Sequence, residues 1–419
     1  MSLKQRSRRD WGRLDMKSDW HEVPLRELVG YISKGVAPAY ADKESEKTII
    51  VLNQKCNRNF QISYTESRLH DTSRKKVPTE RYIKKDDILI NSTGAGTAGR
   101  IAQIRTVPQE TTVDGHMIIM RSNEKVMQRY LGYALKAHQW EVLQLDEGST
   151  GQTELNRERL LDEIIICYPE SFTVQEEIVK LLEGIDEKIL FNTQINDNLQ
   201  RQAAAIFKSW FVDCTPFDGV APETWGDVIL EEITTLVSRG IAPKYSDNSE
   251  QTVINQKCIR NHTIDLSLAR THTPKVINEK WLRFGDLLIN STGDGTLGRA
   301  AQVWFQPKNL TIDSHVTIVR PAKENLIFYI GLWGILHEKE IESLHTGSTG
   351  QTELPRDRVK AMELLLPDNE TLDRFNALIT PMAAAIVSNQ EENTRLAALR
   401  DALLPKLMSG EIDVSNIQV

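Results

Sequence analysis

Apolar residues return every seven positions in two distant stretches of the chain. Ile178, Ile185, Asn192, Leu199 and Ile206 form one series, and Phe375, Met382, Asn389, Leu396 and Leu403 the other. A sustained heptad with one polar asparagine at its centre predicts a long helix in a coiled-coil seam, the asparagine setting register. The competing reading is two unrelated amphipathic helices, each packed on its own domain. Gly184 and Pro381 stand at corresponding places, so each stretch is expected to be a short helix, a break and a long helix. The long piece from Ile185 to about Val212 would span about 40 Å. Two such helices packed together would act as a spacer.

Outside these stretches the pattern is shorter. Thr48 to Leu52, Asp87 to Asn91, Arg100 to Ile104 and His116 to Arg121 read as strands separated by turn chemistry. A helical stretch around Val126 to Leu145 follows, then GSTGQTEL from Gly148, then a short strand from Glu163 to Tyr168. The same order occurs twice. WHEVPLREL at Trp20 matches WGDVILEEI at Trp225, SKGVAPAY at Ser33 matches SRGIAPKY at Ser238, and VLNQKCNRN at Val51 matches VINQKCIRN at Val253. INSTGAGTAGR at Ile90 matches INSTGDGTLGR at Ile289, and GSTGQTEL at Gly148 returns at Gly347. A period of about 200 residues is too long for a solenoid, so each copy is a whole domain.

The resulting domain plan is 1–19, a basic amino end expected to be disordered; 20–170, a first domain; 171–212, a central helical region; 213–224, a linker; 225–369, a second domain; and 370–419, a carboxy-terminal helical region. The chain has 419 residues, 40% of them hydrophobic, which suits several globular domains. No apolar run approaches a membrane span, and the basic amino end lacks the apolar core of a secretory signal. Cys56, Cys167, Cys214 and Cys258 have no C-x-x-C spacing, which points to a reducing cytoplasm without disulfides or a zinc site. The net charge of −7 argues mildly against a general nucleic-acid sponge but permits a local basic face.

Gly94, Gly96 and Gly99 spell G-x-G-x-x-G. A dinucleotide fingerprint needs a helix to open after the turn, and a phosphate loop needs G-K-[ST] where Gly99-Arg100-Ile101 stands. The pattern predicts instead a β-hairpin whose glycines take positive φ, offering Ser92, Thr93, Thr97 and Arg100 to a partner. Asp114 with His116, and Asp313 with His315, suit a structural pair better than an acid–base couple, because no repeated nucleophile accompanies them. Arg74 to Lys85 is strongly basic; Arg81-Tyr82 and Lys280-Trp281 each set a cation beside a ring. These segments are either a solvated charge run or a phosphate-contacting edge. There is no [DN]-P-P-[YF] adenine-methylation motif and no complete phosphate loop.

The duplicated domain followed by a heptad helix resembles the specificity subunit of type I restriction–modification systems. The marks are D-[IL]-L-I-N with its glycine hairpin, Asp87 to Arg100 and Asp286 to Arg299, and the G-S-T-x-x-x-x-L turns, Gly148 to Leu155 and Gly347 to Leu354. The resemblance implies an α+β fold: two tandem target-recognition domains separated by two long antiparallel helices in a coiled coil, in a pseudo-two-fold arrangement. It implies a non-catalytic subunit, each domain reading one half of a bipartite double-stranded DNA target while the helices set the spacing. The implied partners are two methyltransferase subunits, which would carry S-adenosylmethionine, and motor/nuclease subunits, which would use ATP and Mg; no cofactor, metal or membrane belongs to this chain.

DNA-binding candidates in the first domain are Asn53, Gln54, Lys55, Lys75, Lys76, Arg81, Thr93, Thr97 and Arg100, since amides, hydroxyls and arginine suit base edges and phosphates. Those in the second are Asn255, Gln256, Lys257, Lys280, Thr292, Thr296 and Arg299. Ser149, Thr150 and Gln152, with Ser348, Thr349 and Gln351, are candidates for methyltransferase contacts or scaffold. Because the two domains are alike beyond the shared marks, their half-sites are expected to be closely related, close to an interrupted palindrome. The alternatives are an enzyme that binds nucleotide or sugar phosphate at the duplicated glycine loops, and a tandem adaptor that binds only protein.

Overall fold

Ile88, Leu89 and Ile90 are apolar at consecutive positions, so the strand they form must be covered on both faces. In the computed structural model all three are fully buried, and their side chains alternate as a strand requires. Ile88 and Ile90 join a core cluster with the helices, and Leu89 joins a separate cluster with a second sheet. Leu287 and Ile289 divide from Leu288 in the same way in the second copy. The structure describes residues 19–148, 153–247, 249–293, 295–347 and 352–414. It divides into two units, Met1–Lys188 with Arg395–Val419, and Ile189–Thr394, so each long helix contributes to both.

In the first unit one antiparallel sheet has the order Val29–Lys34, Met117–Ser122, Ile88–Asn91, Ile101–Gln103. A second, mixed sheet has the order Thr111–Val113, Thr48–Leu52, Arg68–Asp71, Tyr40–Ala41, its first pair parallel. Trp20–Pro24 pairs antiparallel with Ile165–Pro169, joining the two ends of the domain. The expected strand from Glu163 is therefore shifted, because Arg157–Glu163 is a short helix capped by Asn156, whose side chain accepts from Arg159 N–H. The helical stretch resolves into Gln128–Ala137 and Gln139–Val142. The second unit repeats the antiparallel sheet with Thr234–Arg239, Val316–Pro321, Leu287–Asn290 and Ala300–Gln302, and packs the helix Ile327–Leu336 on it.

The acid that opens each D-x-L-I-N run has a structural task. Asp87 receives both arms of the Arg121 guanidinium at 2.7 Å, and Arg121 also donates to the carbonyls of Glu80 and Tyr82 at 2.8 Å. Asp286 and Arg320 repeat the arrangement against Glu279 and Trp281. The central strand is thereby tied to the segment that carries Arg81 or Lys280. Sequence reasoning missed this pair, because its members lie far apart and only the sheet brings them together.

The long helices are Phe172–Phe211 and Asn369–Met408, each 40 residues and about 60 Å. The expected break at Gly184 and Pro381 does not occur; both helices run through. Leu182 and Ile185 are buried around Gly184, as are Ile379 and Ala383 around Pro381, so packing holds the helix where propensity alone would interrupt it.

Within the second unit the helices pair antiparallel. Asn192 donates to Asn393 at 2.9 Å and to Glu392 at 2.7 Å, while Asn389 donates to Asn196 at 2.8 Å. Asn192 and Asn389 thus face not each other but the asparagine four residues along the opposite helix. Of the heptad positions, Ile178, Ile185, Asn192 and Phe375 are buried, whereas Leu199, Ile206, Met382, Asn389, Leu396 and Leu403 are half-buried. Positions that the heptad reading omitted, Ala203, Phe207, Ile379 and Ile386, are buried more deeply.

Candidate nucleic-acid interface

Four sequence-distant motifs meet in each unit. The glycine loop joins antiparallel strands, Ile88–Asn91 to Ile101–Gln103 in the first unit and Leu287–Asn290 to Ala300–Gln302 in the second. Gly94, Gly96 and Gly99 have φ of 118°, 67° and 83°; Gly293, Gly295 and Gly298 have 105°, 65° and 84°. Other residues would be strained there. Among the described residues no helix begins at either loop, so none offers an amino terminus to a pyrophosphate.

The end of each GSTGQTEL turn, Thr153 to Leu155 and Thr352 to Leu354, lies along the loop. Leu155 N–H donates to Ser92 O at 2.8 Å and Gly94 N–H to Thr153 O at 3.1 Å; Leu354 N–H donates to Ser291 O at 2.8 Å. Lys34 of the SKG segment pairs with Glu154, and Arg239 of SRG with Glu353. Ser149, Thr150, Gln152, Ser348, Thr349 and Gln351 lie outside the described residues, as does the basic amino end through residue 18.

The NQKC segment closes the other side. Asn53 and Asn255 cap short turns, accepting from Lys55 and Lys257 N–H at 2.9 Å and donating to the carbonyls of Glu66 and Leu268. Both ends of each amide are therefore engaged by its own loop. Thr93 touches Gln54 Oε1 at 3.4 Å and His116 Nδ1 at 2.7 Å; Thr292 touches Gln256 Oε1 at 3.1 Å and His315 Nδ1 at 2.7 Å. Asp114 and Asp313 accept from the backbone N–H of His116 and His315 at 2.9 Å, and burial raises both carboxyls despite that bond. The Asp and His side chains form no acid–base couple; the imidazole is turned to the threonine.

The remaining candidates separate by exposure. Arg100 and Arg299 fold back on the carbonyls of Gly96 and Gly295, at 3.3 and 2.8 Å. Burial, with Arg58 adding repulsion, pulls Arg100 below its usual value. Arg81 donates to Gly35 O at 3.2 Å, and Lys280 lies 3.5 Å from Gly240 O. Thr296 bonds the loop carbonyls of Thr292 and Gly293, and Thr97 packs under Gly94. Lys55, Lys75, Lys76 and Lys257 are exposed. Among the described residues no helix is long and apolar enough to cross a membrane, and no three His, Cys, Asp or Glu side chains gather as metal ligands.

One difference between the copies titrates. In the first unit the Gln139 amide closes the hairpin, accepting from Ile101 N–H at 2.9 Å and donating to Gly99 O at 2.8 Å. In the second unit Glu338 accepts from Ala300 N–H at 2.6 Å and pairs with His262, which replaces Phe60, at 3.2 Å. The bond to Glu338 raises the His262 pKa against the opposing effect of burial. A raised folded-state value means the stabilisation is complete below the unfolded value of about 6.5 and is lost as pH rises through the folded one. Carbon-detected NMR titration should show His262 with a midpoint above the ordinary histidine value, and Glu338→Gln should bring it down. A wild-type midpoint at or below the ordinary value would contradict the pairing.

A model of the type I restriction modification DNA specificity domain matches residues 17–201. The chain is 26% identical to the MjaIX type I restriction enzyme specificity subunit of Methanocaldococcus jannaschii, covering 95% of each. Residues 17–201 thus carry the type I DNA specificity domain, and the chain is similar to type I specificity subunits over nearly its whole length. It is also 21% identical to the HindI specificity subunit of Haemophilus influenzae, covering 94% of this chain and 100% of that one. The crystal structure of a type I restriction–modification S subunit from M. genitalium shares its fold, with a TM-score of 0.52 at 13% identity over 97% of this chain and 99% of that one. The matched region, 17–201, takes in the whole first copy with the start of the first long helix.

Proposed function

We propose that this specificity subunit does no chemistry itself and reads a bipartite DNA target, one half-site per duplicated domain, for methyltransferase and motor/nuclease partners. The observation that carries this reading is the convergence, in both units, of the same separated motifs on a glycine hairpin edged by exposed lysines. A hairpin presenting hydroxyls and cations suits groove edges and phosphates. The nucleotide-enzyme reading loses its main support, since the hairpin lacks the helix that such a site needs. In this reading the long antiparallel helices fix the half-site spacing and hold the methyltransferases, which supply S-adenosylmethionine.

The experiment is a gel shift with the purified chain, its methyltransferase subunit and pooled duplex DNA, with the bound sequence recovered. A split target is expected, and thermal shift of the chain alone with ATP, NAD or S-adenosylmethionine should show no saturable stabilisation. Stabilisation by one of these, with no sequence selected, would favour the enzyme. Mapping methylated adenines should further give two closely related half-sites in inverted orientation; two unrelated half-sites would refute the inference from the likeness of the copies.

A further inference from the structure

Several arginines of the two readers are bonded within the fold. Arg121 and Arg320 bond carboxylates and carbonyls, and Arg100 and Arg299 hold their own loops. Arg68 and Arg270 differ. Each is exposed, and neither side chain has a hydrogen bond or ion pair among the described residues. Each lies flat on a tyrosine instead: the Arg68 guanidinium carbon is 3.4 Å from the centre of the Tyr40 ring, and that of Arg270 is 3.6 Å from Tyr245.

The two stacks are built alike. Tyr40 belongs to an edge strand and pairs in register with His70, two residues after Arg68; Tyr245 bridges His272, two residues after Arg270. Tyr40 and Tyr245 close the matching segments SKGVAPAY and SRGIAPKY. Further cations adjoin both: Arg74 donates to Tyr40 O at 3.1 Å, and Lys275 donates to Ala242 O. A free arginine gives up rotamer freedom when it is ordered. Stacking on the ring restrains the side chain beforehand and leaves its edge, the forked N–H donors, unspent. Two copies of one chain have kept this arrangement on exposed surface, where packing alone asks for neither residue.

Resting on the DNA-reading role, we infer that Arg68 and Arg270 are DNA contacts of the two readers. Each ring-backed fork takes a paired acceptor, the O6/N7 edge of a guanine or two oxygens of a phosphate, in its half-site.

The test uses the assembled complex with methyltransferase subunits and the duplex it selects. Arg68→Lys and Arg270→Lys keep the charge and lose the fork. Each should weaken specific binding about tenfold or more, with assembly and melting temperature unchanged. A guanine contact appears as relaxed selection at one G·C pair with an unaltered salt slope. A phosphate contact appears in Arg68→Ala as a loss uniform across sequences, with the salt slope smaller by about one. Lysine variants that bind and methylate like wild type overturn the inference while leaving the DNA-reading role intact. So do variants that lose assembly or stability, which would make the stacks scaffold. A wild-type complex that selects no sequence removes both.

Discussion

Replacing Asp186 with alanine is expected to destabilise the first unit by about 3–5 kcal/mol, because it leaves charges stranded in a poorly solvated seat. Asp186 receives Lys136 and the Tyr133 hydroxyl at 3.0 Å and Arg400 at 2.8 Å. Burial alone would raise its carboxyl; Lys136 and Arg400 outweigh that and hold it below the usual range. Lys136 is 9% exposed, and burial lowers its own pKa. Without Asp186 it keeps the faces of Phe60 and Tyr133, at 5.1 and 5.4 Å, and the charge of Asp401. Around this centre Arg129 binds Glu176 and Glu183, and Arg105 binds Glu183, so the domain docks on the helices through ions. Hydrogen exchange read by mass spectrometry should show lost protection in Gln128–Ala137 and in the carboxy-terminal end of Asn369–Met408, with the second unit unchanged. Wild-type protection in both segments would show that the network is dispensable.

Phe375→Ala should cost the second unit about 3–5 kcal/mol by a different route, an aromatic cavity. Phe375 is fully buried, with ring centres of Phe211 at 4.8 Å, Trp210 at 6.0 Å and Phe207 at 6.1 Å. Here the seat contains almost no charge. Where the first unit has Arg105, Arg129, Lys136, Asp186 and Arg400, the duplicated sequence has Trp304, Phe328, Ile335, Ala383 and Ala203. Both seats keep one common anchor, a buried tyrosine hydroxyl donating to a strand carbonyl: Tyr130 to Cys167 at 3.0 Å and Tyr329 to Leu365 at 2.6 Å. Exchange experiments on Phe375→Ala should expose Ile327–Leu336 and the amino-terminal end of Asn369–Met408. A change of less than about 1 kcal/mol would mean that the ring cluster rearranges to fill the space.

The duplication, the glycine hairpin and the two long helices were legible in the sequence. Each depends on local spacing: a period of seven, consecutive apolar positions, or glycines where φ must be positive. Helix continuity was misjudged at Gly184 and Pro381, because local propensity is weaker than burial of the flanking turns. The partners of Asn192 and Asn389, offset by four residues, follow from antiparallel register, which no single helix specifies.

Among the candidates, only tertiary structure separated exposed groups from those bonded within the fold. Asn53 and Asn255 carry the residue type suited to a base edge, yet their amides are engaged by the turns they cap and by the carbonyls of Glu66 and Leu268. Arg68 and Arg270 attracted no notice in a chain rich in cations until the sheet laid each on a tyrosine. The chemistry of the two seats likewise lies in residues scattered from Arg105 to Arg400. Sequence by itself determined the repeated elements, because their signals lie within one turn or one strand. The tertiary structure decided which polar groups remain free, because a hydrogen-bond partner or a counter-ion is a neighbour in space, and folding alone chooses it.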